Sequence, residues 1–270
     1  MRSSPPVPDH PQFRFQTCPL RPTQAGLRQS HRSMFDSHGG LHKNREDIKA
    51  DKRFYRKWEI CEQTNPNCIN TMEEAMKDAD VLISLSTPGP DTIKQDWVRV
   101  MGKKSIVFAC ANPVPEIYPY AAKEAGAYIV ATGRGDFPNQ VNNSIGFPGI
   151  LKGALMVRAS KITDSMAIAA AHSLANYAEK RGINIDNIVP TMDEADVFPV
   201  EAADVAMQAI KEGVARTKMT WEEAYQMAKK DIEYSRSMAK SLHDNGFIAD
   251  PPVEMLEDAL SWTVKQIEGK

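Results

Sequence analysis

The feature that most constrains this chain is a repeating rhythm that begins at Met34. Short apolar runs that end in turn residues alternate with stretches of helical period. That is the βαβ pattern of a parallel sheet covered on both faces. Ser33 to Asp36 reads as the end of a strand. Thr71 to Asp80 reads as a helix, with Thr71 as N-cap and Glu74 three residues on. Val81 to Leu85 is a strand, Asp91 to Met101 a helix, and Ser105 to Cys110 the next strand. A helix over Ile117 to Ala125 follows, stopped by Gly126, and then the strand Tyr128 to Ala131. Helices are predicted over Ile150–Ala159, Thr163–Lys180, Val200–Glu212, Trp221–His243 and Glu254–Ile267. The face of Trp221, Ala224, Tyr225, Ala228, Ile232 and Tyr234 reads as packing.

Residues 1–33 break the rhythm. They hold six prolines, five arginines and a single acid, Asp9. Proline at that density blocks both helix and inner strand, so a disordered tail is expected; the prolines also spoil the amphipathic helix of a transit peptide. The expected organisation is therefore a Pro/Arg-rich tail over 1–33, a Rossmann-like NAD(P)-binding domain over 34–190, and a C-terminal helical segment over 191–270. The fold class is α/β, a doubly wound parallel sheet lacking its first strand and glycine-rich turn. That turn would bring the backbone to a pyrophosphate. Gly133-Arg134-Gly135 does not replace it, because a third glycine is missing and Pro138 follows. The expectation is a chain cut or misassembled before that strand; the alternative is a divergent protein that lost the phosphate cradle.

Charge removes several classes of function. With 33 basic and 35 acidic residues, nothing draws the chain to nucleic acid or an anionic membrane. No window reaches the ~18 consecutive apolar residues that a membrane helix needs. Cys18, Cys61, Cys68 and Cys110 form no C-x-x-C pair, which fits reduced thiols in a cytoplasmic protein rather than a disulfide framework or a metal site.

The chemistry-bearing residues gather where strands end, which in parallel sheets is the ligand crevice. Asp36 reads either as an acid for ribose hydroxyls or as a turn aspartate. Leu85-Ser86-Thr87-Pro88-Gly89 offers small residues for close approach of a cofactor, or simply a tight turn. Asn112, after the run SIVFAC, places an amide that donates and accepts at once; a turn asparagine before proline is the plainer reading. Asn142 and Asn143 open a helix, so amides and a helix N-terminus converge on a place suited to a carboxylate. Gly146, Gly149 and Gly153 would let that helix lie close to the sheet.

On the blocks FDSHGGLHKNRED, DADVLISLSTPG, IVFACANPVPEI, AGAYIVATGRGDFPNQVNNSIGFPGILKGALMVRA and MDEADVFPVEAA, the chain resembles malic enzymes of the shorter bacterial and archaeal kind. The resemblance implies oxidative decarboxylation of malate to pyruvate and carbon dioxide. It implies reduction of NAD, or NADP, with a divalent metal (Mg or Mn), in a homodimer when complete. Asn112 and Asn143 match the asparagines that hold substrate and the nicotinamide end of the cofactor. Leu85, Ser86 and Gly133 match backbone cofactor contacts, and Asp36 matches the ribose-side acid, leaning to NAD; Lys43 and Arg45 nearby would meet a 2′-phosphate. The family's catalytic tyrosine and lysine and its three carboxylate metal ligands have no counterpart here, so no catalytic or metal residue is assigned. Asp136, Asp193, Glu194 and Asp196 read as caps and ion pairs, and His172 as a packed or surface residue. An amino-acid or folate dehydrogenase would not need NQVNNSIGFPG. A non-catalytic reading also stands, as a truncated chain that binds dinucleotide or pairs with a full-length subunit. The expected outcome is no pyruvate when the purified chain meets malate, NAD and divalent metal; turnover in a coupled assay contradicts it.

Overall fold

The computed structural model describes residues 32–268, with side chains described through residue 265. The tail expected over 1–33 therefore lies outside the described residues apart from its last two.

The chain enters as a hairpin. β1 (Met34–Asp36) pairs antiparallel with β2 (Gly39–Leu41), Phe35 opposite Gly40. Asp36 was expected to end a strand of the parallel sheet, and this is corrected: among the described residues its strand pairs only with β2. The cause is local, since Asp36 Oδ1 accepts from the His38 N–H at 2.9 Å and folds the chain back at once. Two helices that the sequence pattern did not reveal, α1 (Glu46–Ala50) and α2 (Tyr55–Gln63), close a small core with the hairpin around Leu41, Ile48 and Cys61.

The main sheet is three parallel strands in the order β3 (Val81–Ser84), β4 (Ile106–Ala109), β5 (Ile129–Thr132). Register sets Ser84 beside Ala109 and Ala109 beside Thr132, so the three strands end level. α3 (Met72–Met76) leads into β3, and α4 (Gln95–Arg99) and α5 (Pro119–Glu124) connect the strands; all three are shorter than the sequence predicted. Thr71 caps α3 as expected, but Asp78 and Asp91 adopt left-handed backbone (φ 58° and 73°), which ends one helix early and delays the next. These helices bury Leu82, Val107 and Val130 with Met76, Val98, Ile117 and Ala122. The other face is not covered at β3, contrary to expectation: Val81 is 48% and Ile83 63% exposed.

After β5 the chain turns helical. α6 (Asn143–Met156), α7 (Asp164–Arg181) and α9 (Trp221–Asp244) pack around α8 (Val197–Lys211), and α10 (Val253–Glu268) follows. α8 is the centre because its alanines face every neighbour; Ala202, Ala203, Ala206 and Ala209 are fully buried. The α6 glycines serve this contact rather than the sheet. A Cβ on Gly153 would lie 2.5 Å from the Ala202 carbonyl oxygen, and one on Gly149 would lie 2.1 Å from Glu201 Oε2. On α9, Ala224 and Ala228 are buried as expected and Trp221 stacks on Tyr225, but Tyr234 is exposed.

Glu201 is fully buried, and neither carboxyl oxygen completes a hydrogen bond. Burial pushes its pKa up to about 8, only partly offset by the Gly149 N–H. The folded chain thus holds a proton that the unfolded chain releases near 4.5. Stability from this group is full below that value and is lost as pH rises towards 8, by roughly a few kcal/mol. Thermal melts should show Tm falling from pH 5 to pH 8, and Glu201→Gln should flatten that fall. An unchanged slope in the variant assigns the pH dependence elsewhere.

Candidate functional site

Parallel pairing brings the sequence-predicted residues together. Because β3, β4 and β5 end level, Leu85 and Ser86, then Ala111 and Asn112, then Gly133, follow adjacent strands out of one edge of the sheet. Gly133 sits against the neighbouring strand end; a Cβ there would stand 3.4 Å from the Cys110 carbonyl oxygen. Asn142 brings the fourth element in. Its Nδ2 donates to the Gly133 carbonyl at 2.7 Å while its Oδ1 accepts from the Ser144 N–H at 3.0 Å, capping α6. The first turn of a 14-residue helix is thereby fastened to the β5 loop.

Asn112 and Asn143, the two candidate ligand asparagines, are both exposed. Neither side-chain amide makes a hydrogen bond among the described residues, which leaves donors and acceptors open to a bound molecule. Arg134 steadies the turn beside Asn112. It donates to the Pro113 carbonyl oxygen at 3.3 Å and pairs with Asp136, whose carboxyl it holds below the usual carboxylate range. Asp136 is thus in an ion pair, and Glu194 is likewise tied to Arg181. His172 lies exposed on α7.

Sequence reasoning missed the residue that organises this edge. Glu116 is fully buried. Its Oε1 accepts from the Ser84 hydroxyl at 2.7 Å, the Ser86 N–H at 2.7 Å and the Ser86 hydroxyl at 3.1 Å, and its Oε2 accepts from the Ala111 N–H at 3.0 Å. Ser86 therefore turns both its amide and its hydroxyl inward, and any cofactor contact there falls to its carbonyl. A glutamate closing the Pro113-Val114-Pro115 turn that follows an apolar strand was the available signal. Cys110 beside it is an inert thiol, pushed up to about 11 by burial and by the nearby Glu116 charge.

Asp36 does not join this group. Its side chain is 1% exposed and contacts Arg45 at 3.0 Å and Lys57. Burial alone would raise its pKa, but hydrogen bonds from Arg45 and Lys57 outweigh it and lower the value. With His38 N–H and both guanidinium nitrogens also donating, each oxygen accepts two bonds and no lone pair is left for a ribose. Arg45, tied to Asp36 and Asp47, is equally withdrawn from a 2′-phosphate, whereas Lys43 is exposed. Among the described residues, no helix is long and apolar enough to cross a membrane.

Residues 23–212 match the family model described as "Malic enzyme, NAD binding domain". A Bacillus subtilis protein named bifunctional malic/malolactic enzyme is 39% identical over 198 residues, covering 73% of this chain and 47% of its own length. The crystal structure of Entamoeba histolytica malic enzyme superposes with a TM-score of 0.88 at 63% identity, covering 91% of this chain and 51% of that one. A malic enzyme structure from Pyrococcus horikoshii gives 0.71 at 43% identity, covering 82% of this chain and 51% of that one. The chain spans about half the length of the curated relatives it matches.

If Asp36 is an anchor for buried cations, Asp36→Ala removes the carboxylate that Arg45 and Lys57 share and costs roughly a few kcal/mol without any ligand. Urea unfolding measures this; a loss under about 0.5 kcal/mol contradicts the anchoring role.

Proposed function

Because this chain belongs to the malic enzyme family, by a match to its NAD-binding domain over residues 23–212, we propose that it forms the cofactor- and malate-facing side of an oxidative decarboxylase that converts malate to pyruvate and carbon dioxide. What supports the reading is a pair of exposed, unengaged amides: Asn112 follows β4 out of the level strand ends, and Asn143 opens the helix that Asn142 ties to the Gly133 carbonyl.

The roles follow from the groups each residue leaves open. The Asn112 and Asn143 amides donate to a substrate carboxylate and accept from a ribose hydroxyl or the nicotinamide carboxamide. The α6 N-terminus behind Asn143 adds its positive end to an anionic substrate. Leu85, Ser86 and Gly133 approach the cofactor through backbone, and the Gly133–Cys110 contact keeps that surface flat. NAD or NADP, when bound, supplies the acceptor for the hydride that leaves malate. A preference for NAD rested on Asp36, whose carboxylate is already saturated, so the proposal is for either dinucleotide. Residues 34–190 as the cofactor domain, 191–270 as the helical segment and a homodimeric complete enzyme belong to the same reading.

A divalent metal fits the described residues poorly. No three His, Cys, Asp or Glu side chains among them stand together to hold one, Asp136 is bound to Arg134, and Glu116 is buried under four donors. The chemistry proposed for these residues is accordingly binding and orientation.

A ligand that binds only the folded form raises the melting midpoint. Millimolar NAD or NADP should raise Tm by several degrees, and Asn112→Ala and Asn143→Ala should each weaken binding by about tenfold, in line with a lost hydrogen bond or two. Calorimetric titration that detects neither dinucleotide refutes the reading.

A further inference from the structure

Glu116 is fully buried directly behind the strand ends proposed above as the cofactor crevice. Both of its oxygens accept from backbone N–H groups, of Ser86 on one side and Ala111 on the other, and two serine hydroxyls complete the set. That is the contact pattern of a carboxylate, which is acceptor-only. Its donors lie 30 and 32 residues upstream on the β3 side and 5 residues upstream on the β4 side, so one side chain ties two separate loops. The residues that follow those two amides, or carry them, are the same ones that face the ligand: Ser86 itself and Asn112, next to Ala111.

Such a charge acts on more than geometry. It is fully buried, so salt does not screen it as it screens a surface carboxylate. It is felt at the strand end, where it contributes to raising the Cys110 thiol. The two redox forms of a nicotinamide differ in one respect that such a charge reads: the oxidised ring is a cation and the reduced ring is neutral. A buried anion near that ring stabilises the first and leaves the second nearly unaffected.

We propose that Glu116 is a positioning residue of the cofactor crevice, holding the Leu85–Ser86 and Ala111–Asn112 segments, and that its charge favours the oxidised nicotinamide over the reduced one. The proposal rests on the cofactor reading given above and concerns a residue outside the binding contacts assigned there.

The test compares calorimetric Kd values for oxidised and reduced dinucleotide in the wild-type chain and three variants. Glu116→Gln keeps size and removes charge. Glu116→Asp keeps charge on a shorter arm. Val98→Ala weakens the core beneath the sheet without touching the crevice. Glu116→Gln should weaken the oxidised form about tenfold more than the reduced form. Glu116→Asp should weaken both while keeping the wild-type ratio, and a shifted ratio in this variant overturns the charge claim even where the Gln variant folds poorly. Val98→Ala, matched for lost stability, should leave the ratio unchanged. A purely structural role lowers both affinities in proportion, so an unshifted ratio in Glu116→Gln, or a shift of equal size in Glu116→Asp or Val98→Ala, overturns the inference. A wild-type chain that binds neither form refutes the cofactor reading itself and takes this inference with it.

Discussion

The arrangement of the loops at the carboxyl edge of the sheet depends on one buried side chain, Glu116, that accepts four hydrogen bonds. Loops at the ends of parallel strands have no ladder to hold them, and their amides must find partners or water. Here the amides of Ser86 and Ala111 find the same partner, Glu116. The two loops are then set relative to each other before any ligand arrives. The cost of burying the charge is offset because every neighbour is a donor. Arg134 on the Pro113 carbonyl and Asn142 on the Gly133 carbonyl extend the scheme to the third loop and to α6. What is left unengaged, the amides of Asn112 and Asn143, is what a ligand would meet.

Behind that edge the helices are held by a different principle. α6 and α8 approach so closely that side chains are excluded at Gly149 and Gly153, and the alanines of α8 fill the remaining space. Placing Glu201 in this contact with at most the Gly149 N–H nearby is a departure from it, since a buried carboxyl so poorly served by donors favours the neutral acid. The two interior glutamates thus sit under opposite conditions. Glu116 is surrounded by donors, and Glu201 is packed against α6, its pKa pushed up by burial.

Much of this was legible in the amino-acid sequence. The runs VLISL, SIVFAC and YIVA announced the parallel strands because a strand covered on both faces and flanked by turns reads as a short continuous apolar block. The helices from α6 onward were legible from their period; Ser86, Asn112 and Gly133 stood out as candidates by their place after strands, and Asn143 by opening a helix. Other features depend on contacts that no local pattern carries. Glu116 looks like an ordinary acid near a helix start, and its meaning lies in partners some 30 residues away. Asp36 looked like a ribose acid until the burial of Arg45 and Lys57 around it came into view. Glycines at 149 and 153 signalled close packing, but not that the partner would be α8 instead of the sheet. The polar helices α1 and α2 offer too narrow an apolar stripe to stand out.

The central claim is that the carboxyl edge of the β3–β4–β5 sheet is a dinucleotide crevice, with Asn112 and Asn143 at its reactive end. The most direct measurement is a crystal structure of the chain grown with oxidised dinucleotide. The account predicts density along the ends of the three strands, with the nicotinamide end within hydrogen-bond distance of both asparagine amides. A dinucleotide seated elsewhere, or seated there with both amides facing solvent, would contradict it.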